Sequence, residues 1–240
     1  MEASVLLEIL RDQREELDSL RSLCFCKRKE EDMVKLESKK AHVVIGVRRS
    51  GKSTLCFNVL NKAQVKFAYV NFDDERLVRL SADNLNDVLK CLYQIYGDFT
   101  HLFLDEAQNV EGWHLFVNRL LRHGMKLIIT GSNAKLLSSE LSTYLTGRYN
   151  EIELFPFSFR EFCEMEKVET TNLSTKTDAL LRRAFDKYME TGGFPEIISS
   201  EETAEEYIDT LVSNILERDI VQRFKVRYKD AFKSLSHHLM

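Results

Sequence analysis

Apolar and polar positions along this chain fall into two regimes. Strands read at 41–46, 67–72, 101–105, 126–130 and 149–154, the first four as short, nearly continuous apolar runs of the kind buried in a sheet. Between them, near 52–62, 84–96, 112–123 and 134–145, apolar residues recur at helical spacing. Alternation of this kind predicts an α/β fold: a parallel five-stranded sheet with helices on both faces. Ahead of it, Val5, Leu6, Ile9, Leu10, Leu17 and Leu20 within 3–23 mark an amphipathic helix that packs on the core or on a partner. The stretch CKRKEEDMVKLESKK is mixed in charge and reads as a solvated helix or linker. After PFSFREF no strong strand recurs, and 157–166, 177–190 and 201–224 read as helices of a smaller all-α unit. The predicted division is an N-terminal helical segment (1–38), an α/β core (39–156) and a helical lid with a C-terminal segment (157–240).

Candidate chemistry sits where strands give way to helices. GVRRSGKS at 46–53 fits G-x-x-x-x-G-K-[ST] and lies between an apolar strand and a helical run. Converging backbone N–H groups hold a polyphosphate, which demands glycine where the chain bends or approaches the ligand, here Gly46 and Gly51. The helix starting near Lys52 adds its N-terminal N–H groups and dipole. Gly46, Val47, Arg48, Arg49, Ser50, Gly51, Lys52, Ser53 and Thr54 are therefore the predicted nucleotide-binding residues. Lys52 would reach the β- and γ-phosphates, and the Ser53 hydroxyl would ligate Mg²⁺. The strand at 101–105 ends in Asp105 followed by Glu106, about fifty residues downstream. Asp105 is placed to coordinate Mg²⁺, and Glu106 to act as general base on the attacking water. KLIITGSN at 126–133 ends a third strand in small polar residues, and Ser132 and Asn133 are candidates to sense the γ-phosphate.

Composition narrows the classes. With 240 residues, 44% of them hydrophobic, the chain can bury one substantial core and a small second unit, so two domains at most are expected. No apolar run is long enough to cross a bilayer and the N-terminus is too acidic for a signal peptide, so a cytoplasmic location is expected. The 5 cysteines lack C-x-x-C spacing and read as free structural thiols. A net charge of −4 does not attract nucleic acid to the surface as a whole, although Arg218, Arg223, Lys225, Arg227 and Lys229 form a local basic strip.

GVRRSGKSTL, FLDEAQNVEGW, ITGSNAKLLSSELSTYLTGRY, LFPFSFREF, GGFPEII and ILERDIVQRF run in order over roughly residues 39 to 224. Together they resemble the prokaryotic AAA-type ATPases that usually carry a C-terminal domain of unknown function. The resemblance implies a P-loop NTPase of the additional-strand type with a small all-α lid, in which the strand at 126–130 lies between the phosphate-loop strand and the Asp-Glu strand. It implies ATP and Mg²⁺ as ligands and an ATPase that couples nucleotide state to conformational change or assembly. It makes Arg148 an arginine finger acting across a homo-oligomer interface, and Pro195 of GFP a nucleotide-pocket residue. The finger has a surface salt bridge as its alternative, and Pro195 has a plain loop between two helices. Such relatives continue well past the R-D-I segment, so the output module is expected to be absent here. Two rival functions follow from the same residues. One is a nucleotide-dependent scaffold with an unknown protein partner and little hydrolysis; the other is a helicase-like or DNA-associated ATPase, since DEAQ resembles a helicase box.

Overall fold

The computed structural model describes the chain apart from residues 23–24, 133–142, 144, 146, 172–173, 200–202, 223–224 and 240, and apart from the side chains of residues 22, 132, 199, 218, 219, 222, 237 and 239. Among the described residues the chain divides into two compact units, Met1–Phe155 and Pro156–Met240.

In the first unit the five expected strands are present: β1 (Ala41–Gly46), β2 (Phe67–Asn71), β3 (His101–Asp105), β4 (Lys126–Ser132) and β5 (Tyr149–Glu153). They pair in the order β2-β3-β4-β1-β5, every pairing parallel. β4 thus lies between β1 and β3, as the additional-strand arrangement requires. Residues alternate strictly between the faces of the sheet. Val43, Ile45, Leu102, Leu104, Leu127 and Ile129 point into one apolar cluster, and Val44, Phe103 and Ile128 into the other. The first cluster is closed by α1 (Ala3–Ser19), α3 (Leu85–Tyr96) and α4 (Trp113–Arg122), the second by α2 (Lys52–Lys62). The continuous apolar runs of β1 and β3 are what strands covered on both faces demand, because neither face meets water, whereas the edge strand β5 buries only Ile152. The helix expected near 134–145 falls mostly outside the described residues.

The N-terminal helix belongs to this core. Leu6, Ile9 and Leu10 of α1 are buried against α3 and the sheet, each such side chain contributing about 1.5–3 kcal/mol by burial. Gln13 of the same helix is also buried; its amide donates to the Asn71 carbonyl (3.0 Å) and accepts from the Asn71 N–H (3.0 Å). The expectation of a solvated stretch after it is corrected. Lys29–Met33 forms a 3₁₀ turn, and Arg28, Glu30 and Glu31 are buried. Glu31 is tolerated there because it accepts from Asn58 (2.8 Å) and Lys62 (2.9 Å), whereas Glu30 has the charge of Arg28 at 3.9 Å and its Oε2 accepts no hydrogen bond.

The described residues of the second unit form helices and no strand: α5 (Phe159–Met165), α6 (Thr175–Thr191), α7 (Pro195–Ser199), α8 (Ala204–Asn214), a π-helical continuation over Ile215–Gln222, and α9 (Lys229–Leu239). Phe162, Cys163 and Ala184 make one small core, and Ile197, Tyr207 and Leu211 another. Capping boxes at Ser158 and Thr203 start α5 and α8. The G-G-F-P turn has a packing reason: the Phe157 N–H donates to the Gly193 carbonyl (2.6 Å), and a Cβ on Gly193 would stand 2.1 Å from the Phe157 oxygen.

Candidate functional site

The 46–53 loop is shaped at both ends by its glycines. β1 delivers Gly46 against the exit of β5, where a Cβ would lie 2.1 Å from the Leu154 carbonyl oxygen. Only glycine fits that approach. At the other end Gly51, with φ 90°, caps α2 from the left-handed region. The first N–H groups of α2 have no intrahelical acceptor and face the loop, the arrangement that binds anions.

Three carbonyls and carboxylates organise the basic and hydroxyl groups here. Lys52, buried at 5% exposure, donates to the Val47 carbonyl (3.1 Å) and lies 3.7 Å from Glu106 Oε1. The Ser53 hydroxyl donates to Asp105 Oδ1 (2.9 Å). The loop and the acidic pair are therefore on the same side of the sheet, at the carboxyl ends of β1 and β3. That common placement follows from the order of the strands, since parallel strands bring their carboxyl ends to one edge.

Asp105 is the electrostatic centre of the cluster. Burial pushes its carboxyl up to about 6; bonds from Thr130 and then Ser53 and Tyr69 pull it down, while the charge of Glu106 pushes it up. Thr130 donates to Oδ1 and the Tyr69 hydroxyl to Oδ2 (3.2 Å). The same burial, with the charge of Asp105, raises the Tyr69 hydroxyl, so Tyr69 stays a donor. Glu106 follows in the left-handed region (φ 51°), its N–H donating to Thr130 Oγ1 (3.0 Å). This turn lets consecutive carboxylates both address the loop. A hydroxyl and a buried carboxylate are hard oxygen donors, suited to Mg²⁺ held jointly with phosphate oxygens and water. Among the described residues no group of three or more His, Cys, Asp or Glu could hold a metal, so a cation here would depend on such added oxygens.

The other predicted positions distribute unevenly. Ser50 is fully buried beneath the loop, its hydroxyl without a hydrogen-bond partner, whereas Val47 and Arg49 are exposed and Arg48 lies 3.6 Å from Asp73. Thr54 is half-buried on α2. Ser132 ends β4 in register with Gly46, and its side chain, like the whole of Asn133, lies outside the described residues. Arg148 sits at the opposite, amino edge of the sheet: its carbonyl accepts from Ala41 N–H (2.9 Å) and its guanidinium donates to Asn118 (3.2 Å). Ala41 and Gly46 are five residue steps apart along β1, about 16 Å, so Arg148 is not at its own chain's loop. Pro195 begins α7 in the second unit. Sequence reasoning missed Thr130, Tyr69, Gln108 and Arg28. The Arg28 guanidinium donates to the carbonyls of Phe155 (2.6 Å) and Ser50 (3.4 Å), backing the loop from behind.

Comparison with known proteins places this geometry in context. A family model described as AAA domain matches residues 38–163, and one described as a domain of unknown function (DUF8612) matches 182–240. The second match corrects the expectation that no such module follows the core. The chain is 37% identical over 211 residues to Uncharacterized protein MJ1544 of Methanocaldococcus jannaschii, covering 86% of this chain and 48% of that protein. It is 33% identical over 202 residues to an uncharacterized protein of Haemophilus influenzae, covering 80% and 49%. The chain thus spans about half the length of the curated relatives it matches. Among solved structures it is similar to the Walker-type ATPase paby2304 of Pyrococcus abyssi (TM-score 0.49, 16% identity, 85% of this chain and 76% of that one). It is also similar to C. elegans PCH-2 (TM-score 0.44, 16% identity, 88% and 68%).

Proposed function

We propose that this chain, which belongs to the AAA domain family, binds ATP with Mg²⁺ and hydrolyses it to ADP and phosphate. The observation that carries the reading is the apposition of Lys52 with Glu106 (3.7 Å) and of Ser53 with Asp105 (2.9 Å) across two strands. In this reading the loop N–H groups and Lys52 bind the phosphates, Ser53 and Asp105 hold Mg²⁺, and Glu106 takes the proton of the attacking water. Mg²⁺ held there would supply neutralisation of the charge that develops on the phosphates. Lys52 then exchanges the Val47 carbonyl and Glu106 for phosphate oxygens, which frees Glu106 Oε1 for its task. Arg148, far from the loop of its own chain, would serve a neighbouring copy's nucleotide.

Nucleotide titration combined with mass measurement, with and without Mg²⁺, tests the binding half. Lys52→Ala is expected to abolish ATP binding, while Glu106→Gln keeps binding and loses turnover by about 10²–10⁴-fold. Unchanged hydrolysis in Glu106→Gln would remove Glu106 from the role of base. Binding without turnover, at concentrations high enough for assembly, would instead favour the nucleotide-dependent scaffold. The helicase alternative needs a second RecA-like sheet, and nucleic-acid-stimulated turnover with strand separation would favour it.

A further inference from the structure

Glu106 is engaged through both oxygens. Oε1 lies 3.7 Å from the Lys52 ammonium, and Oε2 accepts a short hydrogen bond from the Gln108 side-chain amide. The orientation of that amide is fixed by chemistry, because turning its oxygen toward a carboxylate would set two acceptors against each other. Gln108 Oε1 is consequently directed elsewhere, and it is buried without a hydrogen-bond partner. An unsatisfied buried amide oxygen is costly, and a fold keeps one where something outside the protein chain completes it.

The turn that carries Gln108 is well anchored. Ala107–Asn109 is a 3₁₀ turn whose Asn109 N–H donates to the Glu106 carbonyl (3.0 Å), and the Asn109 amide donates to the Phe72 carbonyl beyond β2 (3.2 Å). Gln108 is thus held two residues from the proposed base, with one polar atom committed to that base and the other buried without a partner.

We propose that Gln108 is a positioning residue for hydrolysis, orienting the attacking water jointly with Glu106. This inference rests on the reading of Glu106 as general base. The water donates one hydrogen to the Glu106 carboxylate and the other to Gln108 Oε1, which leaves a lone pair of its oxygen directed at the γ-phosphorus. As that lone pair forms the new phosphorus–oxygen bond, the bond to the β,γ-bridging oxygen breaks and its electron pair leaves with ADP. The proton passes to Glu106 and is returned on release of phosphate. Gln108 gains and loses no proton; it fixes the direction of attack.

The test measures kcat and KM for ATP·Mg²⁺, the affinity for a non-hydrolysable ATP analogue, and thermal unfolding. It compares the wild type, Gln108→Leu, Gln108→Met, Glu106→Gln and the double variant Glu106→Gln/Gln108→Leu. Gln108→Leu and Gln108→Met are expected to lower kcat at least tenfold, with KM and analogue affinity within about twofold and an unfolding temperature no lower than wild type. The double variant should be no slower than Glu106→Gln alone, because two groups that handle one water are not additive. If Glu106→Gln abolishes turnover while both Gln108 variants keep wild-type kcat, the inference is overturned and the base assignment stands. Equal losses in kcat and analogue affinity, or a further loss in the double variant, would also overturn it. Absence of wild-type turnover, or turnover that survives Glu106→Gln, would overturn the base reading and this inference with it.

Discussion

In the proposed reading, Asp105 sets cation binding against stability at a single residue. Folding moves its carboxyl from 3.8 to about 6, chiefly through burial, and the hydrogen bonds of Thr130, Ser53 and Tyr69 recover only part of that. The displacement is worth on the order of 3 kcal/mol. A folded value above the unfolded one means that Asp105 contributes stability below pH 3.8, and that this contribution is lost as pH rises through about 6. At pH 8 the carboxylate is ionised, buried and destabilising, which is the condition in which it can accept a cation. Asp105→Asn should therefore raise the melting temperature of the ligand-free protein at pH 8, with the gain shrinking toward pH 4, while removing any stabilisation by Mg²⁺ and nucleotide. Thermal unfolding at the two pH values checks this. A less stable Asn variant at pH 8 would show that the three hydroxyl donors outweigh burial.

At the scale of elements, the amino ends of β1 and β3 carry two buried histidines that fasten the 35–36 segment to the sheet. His42 Nε2 donates to the Lys35 carbonyl (2.8 Å) and His101 Nε2 to the Leu36 carbonyl (3.3 Å), so both rings hold their proton on Nε2. His101 Nδ1 accepts from Thr100 (2.9 Å), whereas His42 Nδ1 is buried without a partner. Burial lowers both histidines, offset in part by those carbonyls. Their contribution to stability is thus complete above pH 6.5 and is lost as pH falls through their folded values, opposite in sign to Asp105. Denaturant unfolding between pH 7.5 and 5 should show stability falling on acidification, and the His42→Gln/His101→Gln variant, which keeps donors but cannot charge, should flatten that slope. An unchanged slope would assign the acid sensitivity elsewhere. The strands that bear these histidines were legible in the sequence because a sheet covered on both faces writes itself as unbroken apolar runs, and the 46–53 loop because its glycines and lysine are demanded by spacing. Thr130 was not: a single hydroxyl in an apolar strand acquires its role only from Asp105 on the neighbouring strand. The charged stretch around Arg28 was misread for a related reason. Charge along a sequence signals solvent unless the partners are known, and Asn58 and Lys62 lie 27 and 31 residues from Glu31. Whether α1 covered the core or a partner was open until its apolar face met α3.

Across the whole molecule, the last residues of the first unit and the candidate site are one packed assembly. Gly46 abuts the Leu154 carbonyl, the Leu154 N–H donates to the Ile45 carbonyl (2.8 Å), and Arg28 bonds to both Ser50 and Phe155. Phe155 immediately precedes Pro156, where the second unit begins. A guanidinium suits this position because its planar fork donates in two directions at once, and a lysine ammonium would not span the same pair of carbonyls. Removing it leaves Glu30, 5% exposed, with Lys29 (3.8 Å) as its one ion-pair partner among the described residues, so Arg28→Ala should cost about 3–5 kcal/mol. Lys62→Ala, which removes the half-exposed partner of Glu31, should cost under about 1 kcal/mol. If the pin shapes the loop, Arg28→Ala should also weaken ATP binding at least tenfold at a temperature where the variant is fully folded, and Lys62→Ala should leave it unchanged. Urea unfolding and nucleotide titration on the same samples separate the two effects. Wild-type affinity in folded Arg28→Ala would mean that the loop keeps its shape through Gly46 and Gly51 alone, with Arg28 serving only to hold the exit of β5.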